Sequence, residues 1–344
     1  GKHQRLIGAR HAFLLGRVGI AVLSAAVNPC PLARAGPARG NGPNTEHVAM
    51  STETASARFG DLDLWPTQEA MAAMLEGQLA AAAAVGPAMA ALAAAAEAAA
   101  DRLRPGDGRL VYAGAGTSGR IAVQDGVELG PTFGWPRGRC VYALAGGEAA
   151  LMASVEGAED DAGAGVAAMA DAAVNAADVA IVAAASGATP FAVAALREAG
   201  ARGALTIGVS CNPGAPLLAG ADHPILLDTG AEVLAGSTRM KAGTAQKIAL
   251  NLLSTAIMVR LGHVYRGLMV GMTPSNAKLR VRGASIVAAA AGIEAEAGAA
   301  LLEAAGGNIK RAVLMAKGLS AADADALLAA CGQNLRVALA HAAQ

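Results

Sequence analysis

Apolar and polar positions along this chain follow two rhythms. Between residues 108 and 230, short apolar runs end in loops of small and hydroxylated residues. They read "GRLVYAG" (108–114), "CVYALAGG" (140–147), "AADVAIVAAASGATP" (176–190), "GALTIGVSCNPG" (203–214) and "HPILLDTG" (223–230). Runs of this length bounded by Gly, Pro, Ser and Asn predict strands, and stretches such as "IAVQDGVEL" between them predict helices. Strands alternating with helices predict a doubly wound parallel α/β sheet covered on both faces, a three-layer sandwich. The polar loops then fall at the strand C-termini, where open α/β sheets bind ligands.

On either side the rhythm is helical. Residues 67–103 are alanine-rich and interrupted by Pro87, which predicts two helices. A long helix is expected over 243–262, and the chain beyond Arg282 reads as all helical. There "ALLEAAGGNIKRAVL" (300–314) repeats as "ALLAACGQNLRVALA" (326–340), each copy a helix, a glycine stop and a second helix start. These boundaries predict an N-terminal extension over 1–49 outside the fold, an α/β domain with N-terminal helices over 50–267 and a small C-terminal helical domain over 268–344.

Composition narrows the classes. Formal net charge is +0, which removes the electrostatic case for nucleic acid. The four cysteines are scattered without CxxC spacing, so neither a metal nor a disulfide framework is expected and a cytoplasmic location is. The run "HAFLLGRVGIAVLSAAV" (11–27) after Lys2, Arg5 and Arg10 faintly resembles a secretory leader, but Arg17 and the prolines that follow interrupt it. It is too short to span a membrane, and Met50 reads as a natural start.

Candidate chemistry sits in four places. In "GAGTSGR" (114–120) the glycines match G-x-G-x-x-G, but the next strand ends in glycines rather than the acidic residue a dinucleotide needs, and no GK[ST] follows. Thr117 and Ser118 beside free N–H groups at a helix start suit one phosphate monoester; a tight turn that needs glycine is the plainer reading. "ASGATP" (185–190) repeats this grammar with Ser186 and Thr189, and two such loops suit a sugar phosphate better than a pyrophosphate. "GSTRMKAGTAQK" (236–247) sets Ser237, Arg239 and Lys241 around a helix start, an anion site or simply a well-capped helix. Carboxylates occur at Glu128 and in "VEGAEDD" (155–161), where Glu156, Glu159 and Asp160 read as a helix face crowded with like charge. Removing a carbon-bound proton while protonating a leaving oxygen needs two carboxyls in opposite protonation states. His263 reads as a helix-end residue placed where a cation suits the dipole.

Taken together, "GAGTSGR", "ELGPTFG", "AGGEAAL", "VEGAEDD", "ASGATP", "CNPG", "EVLAGSTRMKAGTAQK" and "GLMVGMTPSNAKLRVR" resemble the N-acetylmuramic acid 6-phosphate etherases of the sugar isomerase (SIS) superfamily. The resemblance covers nearly all of residues 51–344. It implies a SIS domain with a flavodoxin-like or Rossmann-like sandwich, a homodimer, and a lyase needing neither metal nor cofactor. The implied reaction removes D-lactate from C3 of N-acetylmuramic acid 6-phosphate by elimination and adds water to give N-acetylglucosamine 6-phosphate, a step of amino sugar catabolism and peptidoglycan recycling. By the same resemblance Glu128 matches the proton donor to lactate and Glu159 the second essential carboxylate, the base at C2. Thr117, Ser118, Ser186, Thr189, Ser237, Arg239 and Lys241 fall on the loops that hold phosphate and sugar. The chain departs from the family pattern at Ala188, where arginine is common, at Gly271, where aspartate is usual, and in "GVEL" around Glu128. A non-catalytic sugar-phosphate regulator and an aldose–ketose isomerase are the alternatives on the same fold.

Overall fold

A computed structural model describes residues 51–343. The expected extension over 1–49 lies outside the described residues. After short turns come α1 (Thr67–Ala83) and α2 (Met89–Leu103), separated at Gly86–Ala88 as Pro87 predicts. Then follow β1 (Leu110–Gly114), α3 (Gly116–Phe133), β2 (Cys140–Leu144), α4 (Ala149–Met152), α5 (Ala162–Asp171), β3 (Val179–Ala183), α6 (Pro190–Ala201), β4 (Leu205–Ser210), α7 (Pro216–Ala219), β5 (His223–Leu226) and α8 (Lys241–Arg260). The C-terminal helices are α9 (Ala277–Ala291), α10 (Ala295–Ala304), α11 (Ile309–Met315), α12 (Ala321–Ala330) and α13 (Leu335–Ala342). Helix thus resumes at Ala277, ahead of the expected Arg282, because Asn276 caps it by accepting from Leu279 N–H.

The five strands form one parallel sheet in the order β2-β1-β3-β4-β5. β1 lies between β2 and β3, so successive connections leave it in opposite directions and open a crevice at its C-terminal end. β1 and β3 are buried along their whole length, which explains why their sequences read as continuous apolar runs rather than alternating ones. One face packs on α2, α3 and α8 through Leu92, Leu103, Tyr112, Ile181, Ile207, Leu250 and Leu253. The other packs on α5 and α6 through Val111, Val182, Met169 and Leu196. Thr67–Leu103 is apolar enough in composition to cross a membrane, but it is broken at Gly86–Ala88 and its second half lines the sheet core.

The C-terminal helices enclose a second apolar cluster, with Ile286, Val287, Leu302, Ile309, Val313, Leu328 and Leu335 at its centre. The repeat is visible in its caps. Asn308 accepts from Arg311 N–H before α11, and Asn334 accepts from Arg336 and Val337 N–H before α13. The glycines ahead of each cap, Gly306, Gly307 and Gly332, take positive φ.

Candidate active site

The loop after β1 is shaped by close packing. A Cβ on Gly114 would meet the Ala183 carbonyl oxygen at 2.6 Å, and one on Gly119 would meet Leu144 Cδ1 at 2.3 Å. Strand and helix therefore approach as only glycine allows, and Gly116 turns the chain at φ +52°. The first N–H groups of α3 have no side-chain cap and open onto the crevice end of the sheet. Thr117 is half-buried, and Ser118 is buried with its hydroxyl donating to Gln246 Oε1 at 2.8 Å.

On the adjacent strand, Gly114 pairs in register with Ala183, so the loop after β3 lies beside the first. Ser186 Oγ and Thr189 Oγ1 are 3.1 Å apart, and Ala188 N–H donates to Ser186 Oγ at 3.2 Å. Gly187 turns this loop at φ +65° and sits against Ser210 at the end of β4. Pro190 then opens α6 at its first turn. The loop after β4 is fastened by Asn212 of "CNPG", whose distant partners the sequence does not show. Its amide donates to Ala185 O and Thr52 Oγ1, and its carbonyl accepts from Ser51 Oγ and Thr52 N–H. Residues 51–53 thus form a strap across the strand ends, and Gly236 N–H donates to Thr52 O.

Helix α8 begins at Lys241, two residues earlier than its sequence suggests, because Glu232 caps it from outside. Glu232 is fully buried and accepts from Lys241 N–H and Ala242 N–H, both at 2.9 Å. The Lys241 ammonium donates to the carbonyls of Thr229 and Ala231, closing the same loop from the other side. Ser237 is half-buried and Arg239 exposed. This stretch is therefore both a capped helix start and a cationic rim.

The two singled-out carboxylates are exposed, Glu128 on α3 and Glu159 in a short 3₁₀ turn. The acidic stretch is not a helix, contrary to the expectation from sequence. Gly157 takes φ +71° and breaks it, so the spacing of Glu156, Glu159 and Asp160 does not stack like charges on one face. Asp161 instead caps α5, accepting from Ala164 N–H at 2.8 Å. Arg120 of α3 reaches the preceding segment, donating to Ala150 O and Ala153 O. The helix that carries Glu128 is thereby tied to the chain that leads to Glu159.

His263 is not the helix-end cation expected. It is largely buried, its Nδ1 lies 2.7 Å from Phe133 O, and burial, reinforced by Lys310, lowers its pKa to about 4. It is neutral near pH 7, and it lies at the far end of α3 from the strand-end loops. A cavity of about 840 Å³ between α9 and α10, lined by Arg280, Val281, Glu296 and Leu302, contains none of the loops described above.

Comparison with known proteins places the chain. Residues 91–200 match the family described as glucokinase regulatory protein N-terminal SIS domain, and residues 152–256 match the SIS domain family. The chain is 50% identical over 266 residues to the N-acetylmuramic acid 6-phosphate etherase of Deinococcus radiodurans, across 77% of this chain and 87% of that protein. It is 46% identical over 265 residues to the etherase of Rubrobacter xylanophilus, across 77% and 88%, and 44% identical over 274 residues to that of Streptomyces avermitilis, across 79% and 88%. Among solved structures, a phosphoheptose isomerase from Francisella tularensis aligns with TM-score 0.41 at 17% identity, across 57% of this chain and 98% of that one.

Proposed function

The chain belongs to the N-acetylmuramic acid 6-phosphate etherase family, and from that premise we propose that it is a carbon–oxygen lyase releasing D-lactate from N-acetylmuramic acid 6-phosphate. The observation that carries this reading within the fold is the pair of hydroxyl-bearing loops that follow β1 and β3 at the topological switch. Each presents N–H groups and hydroxyls at a helix start, which suits a phosphate and neighbouring sugar hydroxyls.

The chemistry follows from the substrate. In the open-chain sugar the C1 aldehyde acidifies the C2 proton. Glu159 removes that proton and Glu128 protonates the lactyl oxygen as the C3–O bond breaks. Water then adds at C3 of the unsaturated aldehyde, and a proton returns to C2. Thr117, Ser118, Ser186 and Thr189 hold the phosphate and sugar, and Ser237 and Arg239 supply the rim. Lys241, bound to two carbonyls, acts through the shape of the loop it closes.

The same reading covers assembly and location. Met71, Leu75 and Leu79 form an exposed stripe on α1 at helical spacing, and Leu252 and Val259 are exposed on α8, against which α1 packs. A homodimer would cover such a face and complete the site beside Glu128. Cys140, Cys211 and Cys331 are free thiols, which supports the cytoplasm. The two apolar clusters support a boundary near 267 between catalytic and helical domains.

The test is lactate release by the purified protein, with Glu128→Ala and Glu159→Ala alongside. Turnover in D2O should place deuterium at C2 of the product. Tight binding of the sugar phosphate without lactate would replace the lyase with a regulator, and a ketose product would replace it with an isomerase.

A further inference from the structure

We propose that Gln246 is a positioning residue for phosphate recognition, setting which way the Ser118 hydroxyl donates. The inference rests on the reading that Ser118 faces the substrate's phosphate.

Gln246 lies on α8, is fully buried, and touches the first turn of α3 through Ser118, 128 residues away in sequence. One turn earlier on α8, a Cβ on Gly243 would stand 3.3 Å from Thr117 Cγ2, so the two helices meet closely at this point. Gln246 Oε1 accepts from Ser118 Oγ, while Gln246 Nε2 is buried and has no hydrogen-bond partner among the described residues. An orphaned buried N–H group is rare because it forfeits its hydration for nothing. An apolar side chain of the same length would fill this space without that cost.

The hydroxyl has one proton. Spent on Gln246 Oε1, it leaves only lone pairs to face an incoming phosphate, which is itself an acceptor. Turning the carboxamide by half a revolution about its last bond exchanges oxygen and nitrogen and preserves the 2.8 Å contact. Nε2 then donates to Ser118 Oγ, and the serine proton is released toward a phosphate oxygen. No bond is made or broken except hydrogen bonds. The buried group left over becomes a carbonyl oxygen, which tolerates that state better than an N–H. An amide serves both arrangements without changing protonation, whereas an ionised carboxylate accepts but does not donate, and a thioether does neither strongly.

The experiment is steady-state kinetics of lactate release from N-acetylmuramic acid 6-phosphate by the full chain, comparing wild type with Ser118→Ala, Gln246→Glu, Gln246→Met and the Ser118→Ala/Gln246→Glu double variant. Gln246→Glu is followed from about pH 6 to 9, so that the introduced carboxyl passes from a donor to an ionised group that can only hold the serine proton. It should raise KM at least about 10-fold at the alkaline end relative to wild type at the same pH, with kcat within about 3-fold. Gln246→Met should raise KM by less than about 3-fold. The double variant should be no worse than Ser118→Ala alone, because the effect passes through that hydroxyl. Should the buried carboxyl prevent folding, the Met variant carries the test: a KM rise of about 2-fold that vanishes in the Ser118→Ala background supports the inference, and an unchanged KM in Gln246→Met overturns it. A KM increase in Ser118→Ala with no coupling to Gln246 overturns this inference and leaves the phosphate-loop reading standing. An unchanged KM in Ser118→Ala overturns both.

Discussion

Helix α3 carries two carboxylates three residues apart, and its two faces treat them differently. Asp125 is 1% exposed, accepts from Tyr112 Oη at 3.1 Å and from Asn251 Nδ2 at 3.0 Å, and has its pKa raised by burial against the opposing pull of those hydrogen bonds. Glu128 is exposed on the same helix. A search for perturbed acids alone would choose Asp125. Its partners show a different role, since Tyr112 belongs to β1 and Asn251 to α8, and the carboxylate pins the helix between them. Perturbation here marks packing, and the proposed proton donor is the exposed neighbour, whose role only turnover can reveal.

The largest effect that tests this contrast is on turnover. Glu128→Gln should lower lactate release by about 10³-fold or more while leaving the thermal unfolding midpoint near wild type, because an exposed side chain has little packing to lose. Asp125→Ala should do the reverse. It orphans Tyr112 and Asn251 and should lower unfolding stability by about 2–4 kcal/mol in denaturant titrations, with kcat per folded molecule changed by only a few-fold. An Asp125→Ala protein of normal stability but no activity would break the comparison.

At the far end of α3, His263 extends the contrast to pH. Its folded pKa of about 4 lies below the ordinary value of 6.5, so the unfolded chain takes up the proton first as pH falls. Its contribution to stability should therefore be intact above 6.5 and decline by roughly 3 kcal/mol as pH drops from 6.5 to 4, and His263→Gln should flatten that slope. The smallest change concerns the acidic stretch. Asp161→Ala removes the cap on α5 and should cost about 1 kcal/mol. Neutralising its exposed neighbour through Asp160→Asn should be nearly silent in the same unfolding assay.

Local signals explain how much of this is legible in sequence. The five apolar runs are legible as strands because glycine and hydroxyl loops bound them, and in β1 and β3 burial along the whole length removes any alternation to misread. The acidic stretch reads as helix only if Gly157 counts as one more helical position, whereas it takes the left-handed conformation that ends one. The chain neighbours of His263 suggest a cation, but its neutral state is set by burial and by Lys310, against the pull of the Phe133 carbonyl, and these come from parts of the chain far from it. Asn212, Glu232 and Gln246 lie in stretches that stand out in the sequence, but their roles are not legible there: Asn212 and Gln246 act on partners 160 and 128 residues away, and Glu232 caps a helix that starts nine residues on.

The strap has a consequence for synthesis. Thr52 and Asn212 are 160 residues apart. During translation Thr52 emerges long before the strand that supplies its partner, and the first loop waits for Gln246, 128 residues beyond Ser118. The rim of the site is thus a late, non-local product of folding, whereas the capped helices of the C-terminal repeat can close on near neighbours as soon as they leave the ribosome.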